Sequence, residues 1–167
     1  RSVEDFRALL RAGADRVAIN TAAMSNPQLI ADCAREFGVQ AVVLSCDARR
    51  ANGKFETVVR SGKQSTGIDV IEWCRRAEAL GAGEILLTSV DRDGTNEGFD
   101  LELLRTVSSS VKIGVIASGG AGRLEDFRDA IECGGARAVL AASLFHEKRL
   151  SIGEVKAFLS AEGIPVR

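Results

Sequence analysis

One supersecondary unit recurs along the chain and restricts what it can fold into: an amphipathic helix, a turn of glycine and alanine, then a short, wholly apolar strand. It is first seen where the helical pattern Ser2-Val3-Glu4-Asp5-Phe6-Arg7-Ala8-Leu9-Leu10 ends at Gly13 and Arg16-Val17-Ala18-Ile19-Asn20 follows. It returns in Leu80-Gly81-Ala82-Gly83-Glu84-Ile85-Leu86-Leu87-Thr88, and again in Cys133-Gly134-Gly135-Ala136-Arg137-Ala138-Val139-Leu140-Ala141. In the first helix Ser2 can cap and Asp5 can answer it, while Val3, Phe6, Leu9 and Leu10 share one face. Two more apolar runs, Gln40 to Cys46 and Ile113 to Ala117, bring the expected strands to five. Helical patterns separate and follow them at Asn26 to Phe37, Asp69 to Leu80, Asp100 to Ser109, Leu124 to Cys133 and Ser151 to Glu162.

Strands that are apolar throughout are expected to be buried on both faces, and helices between them force parallel pairing. A doubly wound open sheet and a (β/α)8 barrel both meet that requirement. No G-x-G-x-x-G follows a strand, which weighs against the dinucleotide-binding sheet. The expected fold is therefore α/β, a single domain over residues 1–167. Five strands cannot close a barrel of eight, which takes about 250 residues. The expectation is a partial TIM barrel in a fragment or truncated chain.

Composition restricts the partners. The 167 residues are 46% hydrophobic and 27% charged, with 22 Lys plus Arg against 23 Asp plus Glu. That is the balance of an ordinary globular domain, and no run of like charge calls for nucleic acid or an anionic membrane. No apolar run reaches about 18 residues and no signal peptide is visible, so a cytoplasmic location is expected. Cys33, Cys46, Cys74 and Cys133 form no C-x-x-C pair and read as reduced structural thiols. With His146 the only histidine, no zinc site is expected, and His146 itself reads as packed or surface. Trp73 and the phenylalanines read as core.

In a parallel barrel the functional groups gather where strands end. Here those ends are Asn20-Thr21, Cys46-Asp47, Thr88 to Thr95, Ser118-Gly119-Gly120 and Ala142-Ser143. Small residues at Gly119-Gly120 and Ala142-Ser143 let backbone N–H groups approach an anion, with Asp93-Gly94-Thr95 beside them. A glycine pair alone is equally a tight turn; two adjacent strand ends agreeing point to phosphate. Asn20-Thr21-Ala22-Ala23 offers a second, separate set of donors, and two cradles imply a substrate with phosphate at each end. Asp47 follows an apolar stretch at the mouth of the core, where desolvation raises a carboxyl pKa into the range of a general acid or base. Its position equally allows a cap, or an ion pair with Arg49 or Arg50. Asp91 and Asp93 lack a third metal ligand and read as turn or substrate contacts, with no metal or cofactor expected. Arg16 and Glu84 each begin a strand, at the face opposite the site, where they can form an ion pair across the barrel floor.

The ordered motifs Asn20-Thr21-Ala22-Ala23, Asp47-Ala48-Arg49, Gly83 to Ser89, Asp91-Arg92-Asp93-Gly94-Thr95, Ala117 to Gly122 and Leu140 to Ser143 resemble the cyclase-subunit family of imidazole glycerol phosphate synthase, of histidine biosynthesis. The resemblance covers essentially the whole chain, as strands 4 to 8 of a (β/α)8 barrel with their helices, the first three strands missing. It implies a barrel that takes ammonia and a phosphoribulosyl carboxamide ribotide and releases imidazole glycerol phosphate and an aminoimidazole carboxamide ribotide. It implies Asp47 as one of two catalytic aspartates, Asn20 and Thr21 at one phosphate, and Asp93, Gly94, Gly120, Ala142 and Ser143 at the other, with Gly119 among the phosphate and substrate contacts. Ser61, Thr88 and Ser118 count with the substrate contacts. It also implies a heterodimer with a glutaminase subunit that delivers ammonia at the barrel floor, with Asp15, Arg16 and Glu84 at that entrance. Arg16 stands where lysine is more familiar, which keeps charge but not shape. With the second aspartate absent, the chain alone is expected to be nearly inactive.

The nearest alternative is the sister phosphoribosyl isomerase of the same pathway, which shares the barrel and both phosphate sites; the Asp47 and Asn20 motifs favour the cyclase. A non-catalytic half-barrel that binds phosphate or a partner is the alternative from another class.

Overall fold

Helices begin where the sequence supplies a side-chain acceptor for the orphan N–H groups of a first turn. Ser2 accepts from the Asp5 N–H at 3.2 Å and Asp5 returns a bond to the Ser2 N–H at 3.0 Å, opening α1 (Val3–Arg11) as the residues foretold. Asp69 does the same for α4 (Val70–Ala79), accepting from Ile71 and Glu72 at 2.8 and 3.2 Å. Asp100 caps α5 (Leu101–Ser108) and Ser151 caps α8 (Ile152–Ala161). Asp69→Ala is expected to lower stability by about 1 kcal/mol, a fall of ~2–4 °C in Tm in a thermal melt.

The computed structural model describes residues 1–60 and 62–167. Between these helices lie β1 (Val17–Ile19), α2 (Thr21–Ser25), α3 (Gln28–Phe37), a 3-10 turn (Val39–Ala41), β2 (Val42–Ala51), β3 (Lys54–Val59), β4 (Gln64–Asp69), β5 (Glu84–Ser89), β6 (Gly114–Ser118), α6 (Leu124–Glu132), β7 (Ala138–Leu140) and α7 (Ser143–His146). Five strands pair in parallel in the order β1-β2-β5-β6-β7, each beside the next parallel strand in the chain. A doubly wound sheet reverses its order at a switch point. This one does not, which is consistent with the winding of a (β/α)8 barrel.

The structure corrects the expected strand count. Seven strands are present among the described residues, because β2 runs past Asp47 to Ala51 and folds back as the antiparallel pair β3 and β4. Asn52 and Gly53 make the turn at φ +50° and +76°, between the closing pair Ala51 and Lys54. Two residues with positive φ are what a tight hairpin needs, and Asn-Gly is its strongest short signal. That signal stands in the sequence and the expectation passed over it.

Burial on both faces is corrected too. Leu44, Cys46, Ala48, Ile85, Leu87, Val115 and Ala117 form the helix-covered face, each no more than 2% exposed. The register puts Ser45, Leu86 and Ile116 on the other face, with Asp47, Thr88 and Ser118, and all six are only half-buried. No layer among the described residues covers them. Helix and sheet share one core, to which Trp73, Phe127 and Leu103 contribute buried side chains.

Cys33, Cys46 and Cys74 are buried and free, whereas Cys133 is free but exposed just after α6. His146 is exposed. Among the described residues no helix is long and apolar enough to cross a membrane, and no group of three or more His, Cys, Asp or Glu could hold a metal ion.

Candidate functional site

Parallel register decides which strand-end side chains share a row. Asp47 pairs with Thr88, Thr88 with Ser118, and Ser118 with Leu140, across four adjacent strands. Side chains in register on parallel neighbours point to the same face. The carboxylate and two hydroxyls therefore stand side by side at the carboxyl ends of β2, β5 and β6, on the half-buried face. Asp47 is also paired with Val58 of β3, so hydrogen-bonded neighbours hold its backbone on both sides.

The alternatives left open for Asp47 are separated here. Arg49 turns to Glu56, at 3.0 Å from Nε and 2.9 Å from the terminal nitrogen, and Arg50 turns to Glu102 at 2.6 Å. Neither guanidinium pairs with Asp47. Its partner is the Asn20 side-chain amide, which donates to Oδ2 at 3.0 Å from the end of β1. Burial pushes the Asp47 carboxyl above its ordinary pKa; the Asn20 bond opposes that, and the nearby negative charge of Asp93 reinforces it. A carboxyl whose pKa is raised by burial is a candidate for proton transfer.

Thr88, Asp93, Gly94, Ser118, Gly119, Gly120, Ala142 and Ser143 all line one pocket of about 420 Å³ beside this row. The same pocket is lined by Asn96, and by Ala121, Leu140 and Ala141, which lie within the ordered motifs but were not among the expected site residues. Asn96 carried a usable signal: it follows Asp93-Gly94-Thr95 and is an asparagine, the side chain that best tolerates the φ of +59° it adopts. Gly119 and Gly120 have φ of +89° and +111°. A Cβ on Gly120 would lie 2.3 Å from the Gly98 carbonyl oxygen, so glycine is required there. Among the described residues, the N–H groups of Gly119, Gly120, Ala142 and Ser143 donate to no other residue. Unpaired donors around a cavity can bind an anion.

Asn20 and Thr21 do not line this pocket. The Asn20 backbone carbonyl starts α2, accepting from Ala23 and Met24 at 2.9 and 3.1 Å, and Thr21 is exposed. Ser61 lies outside the described residues. At the opposite ends of the strands, Arg16 and Glu84 form an ion pair that bridges the starts of β1 and β5 over β2. Asp15 is exposed in the turn before it.

A parallel sheet wound in one direction with helices on one face defines the class as an α/β chain, consistent with the (β/α)8-barrel proteins. A family model described as "Histidine biosynthesis protein" matches residues 1–151, and the chain belongs to that family. It is 56% identical over 167 residues to the imidazole glycerol phosphate synthase subunit HisF of Pyrobaculum aerophilum, covering 100% of this chain and 66% of that protein. It is 52% identical over 168 residues to the protein of the same name from Alkaliphilus metalliredigens, covering 100% of this chain and 67% of that protein. The resemblance drawn from the ordered motifs is borne out. The chain spans about two thirds of the length of these curated relatives.

Proposed function

We propose that the chain supplies the greater part of the cyclase subunit of imidazole glycerol phosphate synthase, as strands 4 to 8 of an eight-stranded barrel. The half-buried sheet face and the single pairing of β1 and β7 support this, since three more strands would cover that face and join those edges. The observation that carries the reading is the row of Asp47, Thr88 and Ser118 opening beside a pocket of unpaired N–H groups.

In this reading the pocket holds one phosphate of phosphoribulosyl-formimino-aminoimidazole carboxamide ribotide, while Asn20 and Thr21 serve the other, with Ser61 among the substrate contacts. Asp47 transfers a proton as ammonia adds and the imidazole ring closes, in concert with a second carboxylate from outside this chain. Asn20 orients the Asp47 carboxylate through its amide. At the other end of the barrel, Asp15 and the Arg16–Glu84 pair face a glutaminase partner, which supplies ammonia. Two carboxylates of unlike environment are what general acid and general base roles need, so the 167-residue chain alone is nearly inactive.

The test is product analysis with the protein expressed from its complete coding sequence, given that ribotide and an ammonium salt. Imidazole glycerol phosphate is expected, with turnover by the 167-residue chain alone lower by about 10²-fold or more. Isomerisation of the aminoaldose precursor without ring closure would overturn the assignment in favour of the sister isomerase.

A further inference from the structure

We propose that Arg149 is a positioning residue for the anion pocket, acting through Asn96; the inference rests on that pocket being a phosphate site. The pocket is walled by three segments: the loop after β5, the Gly119–Gly122 stretch after β6, and the start of α7. The first two are locked together by backbone. The Gly98 N–H donates to the Gly120 carbonyl at 2.8 Å, and the Asn96 carbonyl sits so close to Gly122 that a Cβ there would lie 2.1 Å from it.

The third wall is tied differently. Just after α7 the chain reverses at Lys148, whose φ is +56°, and the Arg149 N–H donates back to the Leu144 carbonyl at 3.1 Å. This turn sends the Arg149 side chain to Asn96, where Nη2 donates to Oδ1 at 2.6 Å. Among the described residues it is the one hydrogen bond between the loop after β5 and the segment from β7 to α8. On its inner side the Asn96 amide donates to the Gly94 carbonyl at 3.4 Å, and Gly94 and Asn96 both line the pocket.

Charge points the same way. No lysine or arginine lines the pocket, and Asp93 does. A phosphate there needs a cation nearby to offset the carboxylate. Arg149 supplies it from one residue behind the wall, where it also pairs with Glu147 at 3.0 Å. Arg149 thus joins the outer rim and brings positive potential to a site otherwise built from backbone donors.

Arg149 is partly exposed, so Arg149→Gln and Asn96→Ala should both fold. Titration of the full-length protein with inorganic phosphate tests the proposal without any turnover. Each variant should weaken phosphate binding about fivefold to tenfold, and the double variant no further than the stronger single one, because both remove the same link. Arg149→Lys, which keeps the charge and one donor, should recover most of the loss. With the ribotide, KM should rise by the same factor and kcat stay within about twofold. Unchanged phosphate affinity in Arg149→Gln, additive losses in the double variant, or no phosphate binding by the parent protein would each overturn the proposal. A parent that binds phosphate but does not cyclise would overturn the function instead, leaving the role of Arg149 to the titration.

Discussion

Asp47→Asn in the full-length protein is expected to lower ammonia-dependent cyclisation by about 10³-fold, with KM for the ribotide changed by no more than about threefold. The reason is local. The amide keeps the shape of the carboxylate and can still accept from Asn20, so the row with Thr88 and Ser118 is undisturbed. What is lost is a group able to gain and lose a proton. Steady-state kinetics on the ribotide checks the split between kcat and KM. Turnover at the parental rate would sink the catalytic role and favour the non-catalytic half-barrel.

The same substitution has a stability consequence of opposite sign. Burial raises the folded-state pKa of Asp47 above its ordinary value, so the folded chain holds that proton more tightly than the unfolded chain. For a carboxyl shifted upward, stability is lost as pH rises from the unfolded pKa, near 3.9, through the folded one, and the penalty persists above it. Asparagine cannot ionise and escapes it. Asp47→Asn is therefore expected to melt higher than the parent at pH 7, the gain shrinking as the pH falls toward the unfolded value. An inactive variant that is less stable at pH 7 would mean that the carboxylate is held by more than Asn20.

Gly120→Ala is the second large effect: a loss of about 3 kcal/mol or more in stability and about 10²-fold or more in phosphate affinity. At φ +111° an L side chain is strained, and the new Cβ would also lie 2.3 Å from the Gly98 carbonyl oxygen. Gly98 cannot simply retreat, because its N–H is bonded to the Gly120 carbonyl at 2.8 Å. Relief would require the loop after β5 to leave the Gly119–Gly122 stretch, which opens the pocket. Gly94→Ala is the internal control. Gly94 also has positive φ, +77°, but nothing lies within 4 Å of its added Cβ. Only the backbone term remains, about 1 kcal/mol. Urea unfolding of both variants separates steric exclusion from strain, and equal losses of stability would contradict the packing argument; phosphate titration is read on Gly120→Ala, because Gly94 itself lines the pocket.

Much of this was legible in the residues. Capping side chains at Ser2, Asp69, Asp100 and Ser151 and the apolar runs at Val17, Val42, Glu84 and Gly114 mark helices and strands through local chemistry. Asp47, Thr88, Ser118 and the glycines at 119 and 120 could be nominated together because parallel strands carry their ends to one edge. The turn from β2 into β3 was written in Asn52-Gly53 but overlooked, since the segment lacks the apolar continuity that marks the other strands.

What the sequence determined by itself is the periodicity, the caps and the motif order, properties of neighbours along the chain that short-range sterics and burial enforce. The tertiary structure alone decided the rest. Sequence spacing could not say that Asn20 would meet Asp47 across 27 positions, that Arg49 and Arg50 would turn to Glu56 and Glu102, or that Arg149 would reach Asn96 across 53. Those partners are chosen by strand register and loop docking. Many carboxylates compete for each guanidinium, and only the folded geometry makes one of them near.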